Sequence, residues 1–154
     1  MEQDASKIAV KDVMTKSVIS VDSSATINEA AKVMEDTKVG AIIVMENNTP
    51  VGIVTDRDFA VKVAAHAYQI SEPIKKIMSS PLIAIGPDET VLMVADLMYT
   101  RGVRKLPVID DDQVVGMITA TDLVNQLAVS TEEDIIKMYH QSVSKIYKQY
   151  SPYN

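Results

Sequence analysis

Apolar and polar positions along the chain form the same series of elements twice. Val18 to Val21 is a short β-rich run. Thr26 then precedes Ile27, Ala30, Ala31, Val33 and Met34, apolar positions at helical spacing, with Glu29 three residues beyond the threonine. That pattern predicts a helix opened by a capping box. Ala41 to Met45 and Val51 to Val54 flank the polar stretch Asn47-Asn48-Thr49-Pro50 and predict a hairpin. A closing helix is expected to start near Asp56.

Shifting the chain by 64 residues brings the second copy into register without a gap. Met14 falls on Met78, Thr26 on Thr90, Met34 on Met98, Val44 on Val108, Gly52 on Gly116, Thr55 on Thr119 and Asp58 on Asp122. Leu82 to Ile85 repeats the first β run, and Thr90 caps Val91, Val94, Ala95, Leu97 and Met98. Leu106 to Ile109 and Val114 to Ile118 flank the turn Asp110-Asp111-Asp112, and the closing helix starts near Thr121. Pro107 has no N–H to give a ladder, so its strand is expected to present that position to solvent. Each copy reads β-α-β-β-α. About 50 residues are marginal for independent stability, so the two are expected to pack sheet to sheet. The fold class is α+β, sandwich-like, with repeats over 8–68 and 73–129 and a tail over 130–154.

Composition narrows the function classes. Of 154 residues 47% are apolar, enough for a core, and a net charge of −6 argues against a general nucleic-acid binder. No cysteine is present, which excludes disulfides and thiolate chemistry. His66 and His140 match no metal spacing. The nine methionines read as core filler, with a methionine-lined groove as the sharper alternative. The polar start, Met1 to Val10, is not a signal peptide, and no apolar run approaches a membrane span. The expected location is cytoplasmic.

Candidate chemistry gathers where the last strand of each copy meets its last helix. The sequences are Gly52-Ile-Val-Thr55-Asp56-Arg57-Asp58 and Gly116-Met-Ile-Thr119-Ala120-Thr121-Asp122. A hydroxyl at a strand end, followed by a helix N-terminus, suits an anion. A carboxylate accepts only, so it suits the two donors of a ribose diol. Thr55 with Asp58 equally satisfies a capping box, and duplication would copy a cap as faithfully as a site. Arg101, Arg104 and Lys105 form a basic cluster, read either as a solvated loop or as a phosphate clamp.

The repeat resembles the cystathionine-β-synthase-type (CBS) domain, and the tandem resembles a Bateman module, over about residues 8 to 128. The resemblance rests on Asp12-Val13-Met14, Val18 to Val21, Thr26-Ile27 and Gly52 to Asp58. In the second copy it rests on Ile77-Met78, Gly102 to Val108 and Gly116 to Asp122. It implies a non-catalytic sensor of adenosine-containing ligands, of the AMP, ADP or ATP class, with S-adenosylmethionine and NAD as alternatives. Asp58 and Asp122 would then hold ribose. Thr55, Arg57, Thr119, Thr121, Arg104 and Lys105 would meet phosphate, and Val39, Gly40, Ala41 and Val103 would line adenine. The expected sites are clefts between pseudo-two-fold repeats, with Arg104 and Lys105 reaching the Asp58 cleft. No resident cofactor is implied, and the regulatory ligand is the adenine nucleotide itself. A homodimer is implied, with a partner protein or enzyme as the regulated target. The competing class is an assembly module with empty clefts. An enzyme is disfavoured, because no nucleophile–base pair, metal constellation or phosphate loop appears.

Beyond Ser130 the pattern leaves the repeats. Ser130 and Glu133 form a capping pair, acidic residues open a helix and Lys145 and Lys148 close it. Ile135, Tyr139, Val143, Ile146 and Tyr150 fall on one face. A packed helix is expected over Thr131 to Tyr150.

Overall fold

The computed structural model describes residues 7–127, 132, 136 and 139–148. It divides into two compact units. One is the continuous stretch Val18–Ile83, and the other joins Met1–Ser17 to Ala84–Asn154. Among the described residues no helix is long and apolar enough to cross a membrane.

The continuous unit opens with strand β1 (Ser20–Asp22) and helix α2 (Ile27–Thr37), helix α1 (Val10–Val13) belonging to the other unit. Strands β2 (Ala41–Glu46) and β3 (Thr49–Thr55) follow, and then α3 (Asp56–Asp58), which runs on as a π-helical segment, Phe59–Ala64. The sheet order is β1-β2-β3, parallel and then antiparallel. The expected capping box is present: Thr26 N–H donates to Glu29 Oε2 at 2.8 Å, and Glu29 N–H donates to Thr26 Oγ1 at 3.1 Å. Asn47 and Asn48 both take positive φ, 50° and 61°, the geometry of a two-residue hairpin turn that asparagine tolerates. The turn is thus tighter than expected, and Thr49 and Pro50 already belong to β3. The core joins Ile27, Ala30 and Met34 of α2 to Ile42, Val44 and Val54 of the sheet and to Ile74 and Ile77.

The second unit contains α4 (Val91–Arg101), β4 (Lys105–Asp110), β5 (Gln113–Thr119), α5 (Ala120–Leu127) and a short tail helix, α6 (Ser144–Lys148). Its buried residues include Val91, Val94, Ala95 and Met98 of α4, Leu106 and Val108 of β4, and Leu123 of α5. The expected strand at Leu82 to Ile85 is reduced to one parallel bridge, Ile85 to Val108. Prolines explain the loss. In the first unit Ile43 N–H donates to Ile19 O and Ser23 N–H to Met45 O, one at each end of the parallel ladder. The equivalent positions are Pro107 and Pro87, which have no N–H. Only the central pair remains, Ile85 N–H to Pro107 O and Ile109 N–H to Ile85 O. Pro107 is therefore not at a solvent edge as expected. It is buried, and it ends the ladder from inside.

Each unit combines the opening segment of one sequence copy with the body of the other. Val10 N–H donates to Glu89 O, and 64 residues on Ile74 N–H donates to Ala25 O. Thr15 bridges Met117, and Ser79 bridges Ile53. Each segment thus completes the sheet of the other sequence copy. Gly52 and Gly116 permit this approach. A methyl group on Gly52 would lie 2.6 Å from Met78 Sδ and 2.9 Å from Ser79 O. On Gly116 it would meet Met14 Sδ and come within 3.0 Å of Thr15 O.

Part of the tail expectation lies outside the described residues, namely Ser130, Thr131, Glu133, Asp134, Ile135 and Tyr150. In the described part, Val143 and Ile146 are buried, and the tail packs on α4. Tyr139 departs from the expected stripe and is exposed. It opens a π-helical turn, Tyr139–Val143, whose wider i to i+5 spacing shifts it off an α-helical face.

Candidate functional site

In each unit the strand-to-helix turn is built from the backbone outward. β3 ends at Thr55, which is extended, and the helix begins at Asp56. Thr55 N–H donates to Asp58 Oδ2 at 2.8 Å, and its hydroxyl lies 3.3 Å from the same oxygen. In the second unit Thr119 N–H donates to Asp122 Oδ2 at 2.8 Å and its hydroxyl at 3.0 Å. Asp122 N–H returns a bond to Thr119 Oγ1 at 3.2 Å. The capping reading is therefore realised at both turns. It does not exhaust the carboxylate, which has about four acceptor positions over two oxygens. The cap uses Oδ2, so cap and ligand anchor are compatible uses of one side chain.

The loop that precedes the hairpin reaches the same place. Asp56 N–H donates to Gly40 O at 3.1 Å, and Ala120 N–H donates to Arg104 O at 2.9 Å. Ala41 pairs with Thr55, and Lys105 pairs with Thr119. One unit thus gathers Val39, Gly40, Ala41, Thr55, Arg57 and Asp58 at a single sheet end. The other gathers Val103, Arg104, Lys105, Thr119, Thr121 and Asp122. Arg57, Arg104 and Thr121 are exposed, and Asp58 is buried. Arg104 and Lys105 share a unit with Asp122, whereas Asp58 belongs to the other unit.

The turns differ in one residue that the sequence reading passed over. Lys62 Nζ lies 3.0 Å from Asp58 Oδ1 and donates to Ile77 O at 2.7 Å. Its equivalent in the second copy is Gln126, which carries no charge. The signal was available, since an acid followed four residues later by a lysine on one helix is a standard pairing. Among the described residues no three histidine or acidic side chains gather as metal ligands.

Comparison with known proteins agrees with the repeat. The family model described as CBS domain matches residues 10–65 and again 74–129. The chain is 34% identical over 137 residues to the CBS domain-containing protein YhcV of Bacillus subtilis, covering 88% of this chain and 98% of that one. Among solved structures it resembles the CBS domain pair of protein MJ0100 in complex with 5′-methylthioadenosine and S-adenosyl-L-methionine. That match has 31% identity and a TM-score of 0.71, and covers 79% of this chain and 97% of that one. It also resembles a hexameric CBS-CP12 protein from bloom-forming cyanobacteria, at 26% identity and a TM-score of 0.71, covering 86% of this chain and 83% of that one.

Proposed function

The chain belongs to the CBS domain family as a tandem pair, and from that premise we propose that it is a non-catalytic sensor whose strand-to-helix turns bind an adenosine-containing ligand. The observation that carries this reading is the duplicated carboxylate at the strand end, with one oxygen committed to the backbone and further acceptor capacity beyond it. Asp58 and Asp122 take the ribose hydroxyls. Thr55, Arg57, Thr119, Thr121, Arg104 and Lys105 meet phosphate, and Val39, Gly40, Ala41 and Val103 line the base. The ligand class is AMP, ADP or ATP. The related pair solved with 5′-methylthioadenosine and S-adenosyl-L-methionine supports an adenosyl ligand and keeps S-adenosylmethionine in the test set. The protein acts as a homodimer on a partner protein.

The second reading is an assembly module whose turns are caps only. It is favoured by caps that are complete without any ligand, and by the hexameric relative. Calorimetry with AMP, ADP, ATP, NAD and S-adenosylmethionine separates the two. Binding of at least one, reduced about tenfold or more by Asp58→Asn or Asp122→Asn, is the expected result. Asparagine retains an acceptor for the cap, so the melting temperature should move little for Asp122→Asn, whereas Asp58→Asn also takes the counter-charge from Lys62 and should lower it. Silence toward all five by folded protein leaves the assembly reading.

A further inference from the structure

The carboxylate of Asp58 is held from two sides. Its Oδ2 is tied to the Thr55 backbone, which leaves Oδ1 as the oxygen with spare capacity. Lys62 already sits on Oδ1 at 3.0 Å. A second ammonium proton goes to Ile77 O, so one of three remains. The side chain of Asp58 is 12% exposed and that of Lys62 is 35% exposed. The acid is nearly enclosed, while the base keeps a path to solvent. The span between the two residues lies in the π-helical segment Phe59–Ala64, whereas the matching part of the second unit is the α-helix α5. Gln126 at the matching position supplies no charge.

We propose that Lys62 is the specificity-determining residue of the Asp58 turn, a resident cation that makes this turn select phosphorylated over neutral adenosine ligands. The inference rests on the ribose reading of Asp58. A ribose diol that docks on Oδ1 must displace or share the ammonium. A neutral nucleoside offers nothing in return, and an enclosed carboxylate loses its counter-charge. A nucleotide brings its own anion. The ammonium then bridges carboxylate and phosphate, and a charge-assisted bond replaces the one given up. In the Asp122 turn the same helix position is Gln126, so any phosphate preference there has to come from other residues, such as Arg104 and Lys105.

The test is an NMR titration of the full-length protein with adenosine and with AMP. The Asp56 amide reports the first turn and the Ala120 amide reports the second. In the wild type, AMP should outbind adenosine at Asp56. Lys62→Gln, which copies the second repeat, should cut the AMP preference at Asp56 about tenfold and leave Ala120 unchanged. Lys62→Arg should retain the preference. Lys62→Met provides the same uncharged comparison should the glutamine variant not fold. Binding at Asp56 with an AMP preference that Lys62→Gln does not alter overturns the inference and leaves the ribose reading standing. No response at either turn to either ligand shows that the ribose reading itself has failed, and the inference falls with it.

Discussion

The first unit is a single stretch of chain, whereas the second is assembled from residues 1–17 and the chain from residue 84 onward. The two share most of their connecting hydrogen bonds, offset by 64 residues, yet they depend on the chain differently. The core of the continuous unit draws all its named residues from within its own span. The other unit borrows Val10, which is fully buried, together with the Thr15–Met117 bridge. Duplication therefore made two like surfaces, and each opening segment pairs with the copy that does not follow it directly.

The largest expected effect comes from removing the borrowed segment. Deleting residues 1–17 takes away a fully buried valine, worth about 1.5–3 kcal/mol. It also removes the backbone bonds Val10 to Glu89, Lys11 to Pro87, Val91 to Ile8, and the two between Thr15 and Met117. The second unit should lose about 3 kcal/mol or more. Hydrogen exchange should show protection falling in β4 and β5 while β2 and β3 keep theirs. Equal loss in both units would mean that they unfold as one, and would erase the contrast.

A smaller effect separates the helix ends. Both α2 and α4 finish on a residue in the left-handed region, Lys38 at φ 56° and Gly102 at φ 66°. Only glycine adopts that conformation without a steric cost from Cβ, which is about 1–2 kcal/mol for other residues. Lys38→Gly should stabilise the continuous unit by about 1 kcal/mol in urea denaturation. Gly102→Ala should cost the second unit a similar amount. A neutral Lys38→Gly would show that the lysine side chain recovers the strain by its own contacts.

Much of this was legible in the sequence, for reasons that vary by element. Helices α2 and α4, their caps and both hairpins follow from local spacing and turn chemistry, which act over a few residues. The strand-to-helix motif was found by its recurrence. What local pattern cannot carry is choice between equivalent partners. Met14 and Met78 read alike, and nothing near either says which copy's glycine it packs against. Pro107 shows the same limit. Its missing donor was plain, but which side of the strand that donor would have faced depends on a neighbour far along the chain. The π-helical segment after Asp58 has no sequence marker in the apolar period. Lys62 was therefore placed by the structure, although its spacing from Asp58 alone was suggestive.

The finest contrast is at the helix starts, and it is set by pH. Glu29 closes the capping box of α2, while its equivalent beneath Thr90 is Met93, which cannot. The bond from Thr26 N–H, with a smaller contribution from the threonine side chain, holds the Glu29 carboxyl below its ordinary value of 4.5. A carboxyl depressed in the folded state stabilises fully above the unfolded value and loses that contribution as pH falls through the folded one. Between about pH 5 and about pH 3 the Thr26 amide should therefore shift, and the first turn of α2 should begin to exchange faster. Thr90 N–H and the first turn of α4 should show no such step, because Met93 does not titrate. Glu29→Gln should abolish the pH response while keeping an acceptor for Thr26 N–H. A step of equal size at both helix starts would trace the response to carboxyls elsewhere in the protein, and the capping difference would then have no measurable consequence.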